Sequence, residues 1–499
     1  MNIEKLSVID FYNGKSILIT GGTGDMGKLL VEKLLRCFPK LGCIYLLIRD
    51  KKATMASERL STLLDSPVFD ELRHCSPNIF SKVRIIEGDL CVSDLGLSKA
   101  NQKILIEKVS IVFHCAANVR FNVPLEEAIN INLFGTRRLL ELCHNMIQIE
   151  VFIHVSTLFS TCYKKTIEEC IPFIPAINGV VDFTQNEDDV MKAIPPELVK
   201  NWPNTYTFSK ALTEIMLKDL RGKIPVGIVR PSIIVSSLKE PMPGWINSFY
   251  GPTYMITNAA LGILRTSICE TNNTAHGIPS DMVINLLLCV APKTKYEGVE
   301  KIEVYNFCTS RQNRLTVKLL FEETEKIFRM YPLMRAIRYP NHTLRTSEII
   351  HAVVTAVQHR LFGYVFDLIA LCTFRKPSLS RIYSSLSKHA TNTKFFTLND
   401  FTVFGHNVER LNADLSERER EIFYFDVKTL NWMSFLRDYA LGIRKYLLKE
   451  DLMNLGEAVP RMKKIYWIEK FLQSFVSLTS LFLIYFFIRN RCRRYNRRI

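Results

Sequence analysis

The sequence lacks any C-x-x-C pair and any Cys/His cluster at zinc spacing, which excludes a structural zinc site and a dithiol redox motif. Its thirteen cysteines are scattered and odd in number, and no apolar secretory stretch opens the chain. Reduced thiols in a cytosol-facing protein are therefore expected, with the sequons at Asn272 and Asn341 silent. No internal repeat or low-complexity linker occurs, so a repeat architecture is excluded. No RNA- or DNA-binding signature accompanies the formal charge of +16, so nucleic acid is not the expected partner. A membrane surface or a phosphate-bearing ligand suits that charge better. Much of the excess is local: the last eleven residues carry six arginines and no acid.

What is present begins with length and alternation. A chain of 499 residues is too long for one ordinary core. Over the first 230 residues, short β-branched runs alternate with longer amphipathic ones. Strands are expected at 16–20, 43–49, 83–90, 110–116, 151–156 and 226–231, with a helix at 25–38. Nearly continuous apolar strands spaced for crossover helices imply a doubly wound parallel sheet covered on both faces. Beyond residue 231 the pattern loosens, and 345–450 reads as mostly helical. Phe471 to Ile488 is an uncharged run of 18 residues, about 27 Å long as a helix, with Tyr466 and Trp467 before it. It reads as a membrane anchor, whereas Leu361 to Thr373, which contains Asp367, reads as a packed or interfacial helix. The expected organisation is a Rossmann-type domain over 1–344, a helical domain over 345–462, and an anchor with a basic tail over 466–499.

TGGTGDMGKLL (20–30) follows the first strand and opens a helix, which places Gly21, Gly24 and Gly27 where a tight turn meets a pyrophosphate. The helix N-terminus offers N–H groups to the phosphates. The second strand ends in Arg49, with Lys51 and Lys52 beside it, where an arginine suits the 2′-phosphate of NADPH. Asp50 is read as a surface ion-pair partner. Asp89 is placed to meet the adenine, and Ala116 and Ala117 are small enough for close approach. Thr23 and Met26 in the loop, Leu90 after Asp89, and Pro231 at the end of its strand complete the expected cofactor neighbours.

YTFSK (206–210) puts Tyr206 and Lys210 four apart on one helix face. A nearby ammonium favours tyrosinate, so Lys210 is expected to lower the phenol's pKa and fit it to protonate a carbonyl oxygen. Thr157, at the end of HVST, can bond the same oxygen. The same spacing in YFDVK (424–428) and YWIEK (466–470) lies outside the nucleotide-binding pattern. YFDVK reads as an ordinary helix surface.

TGGTGDMG with YTFSK resembles the extended short-chain dehydrogenase/reductases. VFHCAANVRFN, FIHVST, YTFSKALTE, VRPSIIVSSLKEPMPGWINSFYGPT and NWMSFLRDYALGIRKYLLKE narrow the resemblance to alcohol-forming fatty acyl-CoA reductases. It implies reduction of a long-chain acyl-CoA to a primary alcohol with two NADPH, in a Rossmann domain followed by a helical domain. Two departures from the family stand out: Asp25 replaces a bulky apolar residue, and Leu158-Phe159 stands where Ala-Tyr is common. Endoplasmic reticulum is favoured over peroxisome. Rival readings are a membrane-associated sterol or sugar-nucleotide dehydrogenase and a non-catalytic NADPH- or acyl-CoA-binding protein.

Overall fold

The computed structural model describes residues 7–51, 54–309, 311–374 and 376–495, with side chains up to Asn490. Lys52 and most of the basic tail lie outside the described side chains. Two compact units are each assembled from three separated stretches. The first comprises Met1–Ser248, Asn272–Val317 and Thr391–Gly442; the second comprises Phe249–Thr271, Lys318–Ala390 and Ile443–Ile499.

The first unit contains a seven-stranded sheet. Its strands are β1 (Ile17–Thr20), β2 (Ile44–Ile48), β3 (Val83–Glu87), β4 (Ile111–His114), β5 (Val151–Val155), β6 (Val226–Pro231) and β7 (Glu303–Phe307). They lie in the order β7-β6-β5-β4-β1-β2-β3, and every pairing is parallel. The order reverses beside β1, so a cleft opens between the carboxyl ends of β1 and β4. β1, β2, β4, β5, β6 and β7 are buried at every position, as a sheet covered on both faces requires.

Helices α1 (Asp25–Cys37) and α3 (Ser280–Glu297) pack together, with α3 against β5 and β6. Between them in sequence lies α2 (Thr205–Leu220), which packs with the helix Gly135–His144. Leu212, Ile215 and Met216 of α2 share a core with Val112, Phe152 and Ile228 of the sheet. Asn204 caps α2 by accepting a hydrogen bond from the Thr207 amide at 2.9 Å. Among the described residues the cysteines form no disulfide.

The second unit is mainly helical. It contains the continuous helix α4 (Glu348–Cys372) and the long α6 (Leu455–Tyr495). The helix α5 (Leu379–Leu398) follows α4 in the chain. α4 and α6 are each long and apolar enough to cross a membrane, and the apolar run of α6 is exposed throughout.

Candidate active site

The loop between β1 and α1 is shaped by glycine. Gly21 has φ +73°, and a Cβ there would lie 2.8 Å from the Ala116 amide nitrogen. A Cβ on Gly27 would lie 2.3 Å from the Gly21 carbonyl oxygen, so α1 can approach this closely only through glycine. Gly24 is the N-cap of α1 and supplies no side-chain cap, which leaves the first-turn N–H groups for an anion. Asp25 accepts a hydrogen bond from Asn247 Nδ2 at 2.9 Å, so its carboxylate is engaged within the protein.

Thr20, Gly21, Thr23, Arg49, Asp89 and Leu90 line one cleft, together with Ala116 and Ala117. Met26 and Pro231 are not among its lining residues; Met26 lies in the first turn of α1 and Pro231 ends β6. Arg49 Nη1 donates to Asp89 Oδ2 at 3.2 Å, and the Cys91 amide donates to Asp89 Oδ1 at 3.0 Å. Asp89 is thus drawn toward Arg49 as well as toward the cleft. A second cation, Arg59, was not apparent in the sequence: its Nη2 donates to Thr23 Oγ1 at 2.9 Å. Its only signal is a position in the helix just after the second strand. Among the described residues Asp50 forms no ion pair; it accepts the Ala56 amide at 2.8 Å and secures the start of that helix.

Tyr206 stands in the first turn of α2, with the Thr157 side chain beside its phenol. Thr157 follows β5 and accepts the Phe159 amide at 3.3 Å. Lys210 is buried, with Nζ donating to the Val155 carbonyl at 2.7 Å and standing 3.5 Å from His154 Nε2. The expectation that Lys210 lowers the Tyr206 pKa is not met. Burial pushes the phenol up to about 12, opposed only by the neighbouring Thr157, because the ammonium is turned onto the β5 backbone. Burial also brings Lys210 down to about 8, with Glu214 acting in the opposite sense.

Below Lys210 lie two histidines facing each other from paired positions of β4 and β5. Their rings are 5.3 Å apart. His114 bonds Thr20 Oγ1 at 2.7 Å and Thr136 Oγ1 at 2.8 Å. Burial first, then the charge of Lys210, holds His114 near 3 and His154 well below its ordinary value. The neighbouring Cys115 thiol is pushed up to about 12 by burial, and Cys91 to about 11 by burial and Asp89. With the histidines already neutral, the rate should be level on the acid side of neutrality. It should fall as pH rises through about 8, where Lys210 loses its proton while Tyr206 keeps its own. Initial rates against pH check this, and a rate still rising above pH 9 would contradict it.

An aromatic wall adjoins the tyrosine. Phe121 stacks on Tyr206 at 6.1 Å, and Phe396 lies 5.7 Å from Phe121 and 4.7 Å from Phe159. Phe159, one of the two residues standing in place of Ala-Tyr, forms part of this wall. The remaining Tyr-x-x-x-Lys stretches do not join the site. Tyr424 is not on a helix surface, as had been expected: its hydroxyl donates to the Asp426 carbonyl at 2.9 Å in a stretch whose sole helical turn is Val427–Thr429. Tyr466 and Lys470 lie on α6, in the second unit.

Two family models match the chain, both described as male sterility protein: an NAD-binding model over residues 19–287 and a second over 358–450. Fatty acyl-CoA reductase 2 of Bos taurus is 36% identical over 476 residues, 95% of this chain and 92% of the relative. Fatty acyl-CoA reductase 1 of Homo sapiens is 35% identical over 466 residues, 92% of this chain and 90% of the relative. Among solved structures, the reductase domain of a nonribosomal peptide synthetase from Mycobacterium tuberculosis superposes with a TM-score of 0.58 at 17% identity, covering 91% of this chain and 97% of that one. That likeness supports the fold alone. Near-full-length identity above a third, together with both family models, places this chain in the fatty acyl-CoA reductase family.

Proposed function

We propose that this protein reduces long-chain fatty acyl-CoA to the primary alcohol with NADPH, releasing CoA. One observation carries the reading: the Tyr206–Thr157 hydroxyl pair stands at the carboxyl edge of β5 against an aromatic wall. Such a wall suits an alkyl chain better than a sugar nucleotide. The fit to the dinucleotide rests on the glycine loop, whose backbone has no room for a Cβ at Gly21 or Gly27, and on the uncapped start of α1. When bound, NADPH supplies one hydride for each of the two reductions.

The protein's own part is proton delivery and orientation. Thr157 and Tyr206 hold the thioester oxygen, and Tyr206 gives it a proton as the carbonyl carbon is reduced to a hemithioacetal. The C–S bond then breaks, with the hydroxyl proton passing to sulfur, so CoA leaves as the thiol and an aldehyde remains. In the second reduction Tyr206 protonates the aldehyde oxygen to give the alcohol. A phenol held near 12 stays protonated at physiological pH and suits the role of acid. Lys210 and α2 position it.

The choice of NADPH over NADH is supported by Arg49, just past β2, and by Arg59 in the helix that follows. Removing both charges (Arg49→Ala with Arg59→Ala) should raise KM for NADPH by roughly 10–100-fold, the worth of lost charge-assisted bonds, and leave KM for NADH little changed. Equal losses with both cofactors in initial-rate assays would remove the 2′-phosphate assignment. The apolar run of α6 anchors the protein in this reading, at the cytosolic face of the endoplasmic reticulum, where an alkyl product can enter lipid. The direct test is gas chromatography of products formed from C14 to C20 acyl-CoAs and NADPH by membranes containing the protein. Alcohol is expected; aldehyde alone would leave the first reduction and remove the second.

A further inference from the structure

α4 is built inside out for a helix in water. The face it buries carries His359, Gly363, Asp367 and Ala370, small or polar residues at spacings of four, four and three. The face it exposes carries Leu361, Tyr364, Val365, Leu368, Ile369 and, just beyond, Phe374, which is 101% exposed. The buried stripe is held closely to α5. His359 stacks on Tyr383 at 4.9 Å, and a Cβ on Gly363 would lie 2.8 Å from the Tyr383 ring. Asp367 accepts the amides of Ser378, Leu379 and Ser380 at 2.9–3.0 Å, capping the start of α5. The one acid of the apolar run thus faces inward, and the exposed face carries none.

A second observation ties this face to the apolar run of α6. Buried Arg265 donates from Nη2 to Glu469 at 2.5 Å, and its amide donates to His359 Nε2 at 3.0 Å. The Tyr339 amide also donates to Glu469, at 3.1 Å. Phe471 is two residues beyond Glu469, and Leu361 is two beyond His359. The two exposed apolar surfaces therefore begin within about 3 Å of axial rise from one shared anchor. What covers one surface is at hand for the other.

The geometry points to α4 as a monotopic element, lying in the plane of the bilayer with Leu361 to Phe374 in the acyl region and α5 on the aqueous side. Spanning is disfavoured by two features. A crossing centred on α4 would put exposed Arg360 and the Arg265 anchor at the midplane, where charge is costly. The capped start of α5, whose exposed residues include Arg381, Ser384, Ser385 and Lys388, would also be drawn through lipid. An in-plane helix keeps Asp367 and α5 in water and sinks only the apolar face.

The full-length protein in phosphatidylcholine/phosphatidylserine vesicles is photolabelled with two diazirine lipids, one reactive near the acyl carbonyl and one at the terminal methyl. Labelled peptides are then mapped by mass spectrometry. Residues 361–374 should be labelled by the shallow probe at least about fivefold more than by the deep one, 471–488 by both, and 380–388 by neither. Equal labelling of 361–374 by both depths would mean a second span and overturn the in-plane assignment. Labelling of 471–488 with none at 361–374 would overturn lipid as the occupant. A Val365→Lys/Ile369→Lys variant alters only exposed positions and should lose the shallow labelling while retaining that of 471–488; unchanged labelling would count against the assignment as well.

Discussion

Tyr206→Phe should lower the turnover number for alcohol formation by about 10²–10⁴-fold, the usual worth of a positioned general acid, and leave NADPH affinity within about twofold. The substitution removes one oxygen and keeps the ring that stacks on Phe121 at 6.1 Å. Thr157 survives it as a bonding partner, since its Oγ1 is oriented by the Phe159 amide. Thr157 cannot take over as acid: an aliphatic hydroxyl is far weaker than a phenol, even one raised to about 12. The loss should fall on kcat with KM for the acyl-CoA nearly unchanged, because the proton is transferred only in the transition state. Product analysis beside cofactor titration reads both quantities. A variant with more than about a tenth of parental turnover would place the acid elsewhere.

The second large effect concerns stability. Arg230→Met should destabilise the first unit by roughly 3–5 kcal/mol, the cost of leaving a buried charge without its partner. Arg230 and Glu214 are both fully buried and joined side by side, with Arg230 Nε donating to Glu214 Oε1 at 2.9 Å. The remaining Arg230 donors reach the Glu168 carbonyl at 3.0 Å and the Cys170 carbonyl at 2.8 Å, so the same side chain ties α2, β6 and the 168–170 loop. Glu214 also accepts from Ser156, next to Thr157, and its charge raises the Lys210 pKa. Arg230→Met should therefore shift the alkaline limb of the pH–rate profile as well. Pairing it with Glu214→Gln removes the stranded charge and should restore part of the stability in denaturant titrations. A cost under about 1 kcal/mol for the single variant would show that water reaches the pair.

The first six strands and the glycine loop were legible because buried parallel strands are written as continuous β-branched runs and because the loop needs glycine at fixed places. β7 was not, since Glu303 and Asn306 interrupt EVYNF and make it read as loop. α3 was obscured for the opposite reason: it is buried nearly all round and carries Pro292 inside, so no polar face marks its period. The discontinuity of the two units has no local signature, because it depends on which distant stretches share a core. At the site, residue types and order gave Tyr206, Thr157 and Lys210 together. They could not give the direction of the phenol's pKa, which depends on whether the ammonium faces the ring or the β5 carbonyl. The histidine pair was visible as VFH and FIH, but its meaning required the register that aligns His114 with His154.

The thiols around the cleft have a chemical consequence of their own. In this reading each turnover liberates a mercaptan, and CoA disulfides accumulate wherever that product is oxidised. Mixed-disulfide formation needs a thiolate, and the Cys115 and Cys91 sulfurs, held near 12 and 11, are almost wholly protonated at neutral pH. The enzyme is thereby built to resist S-thiolation by its own by-product at the nucleotide cleft, while exposed Cys75 and Cys170 remain open to it.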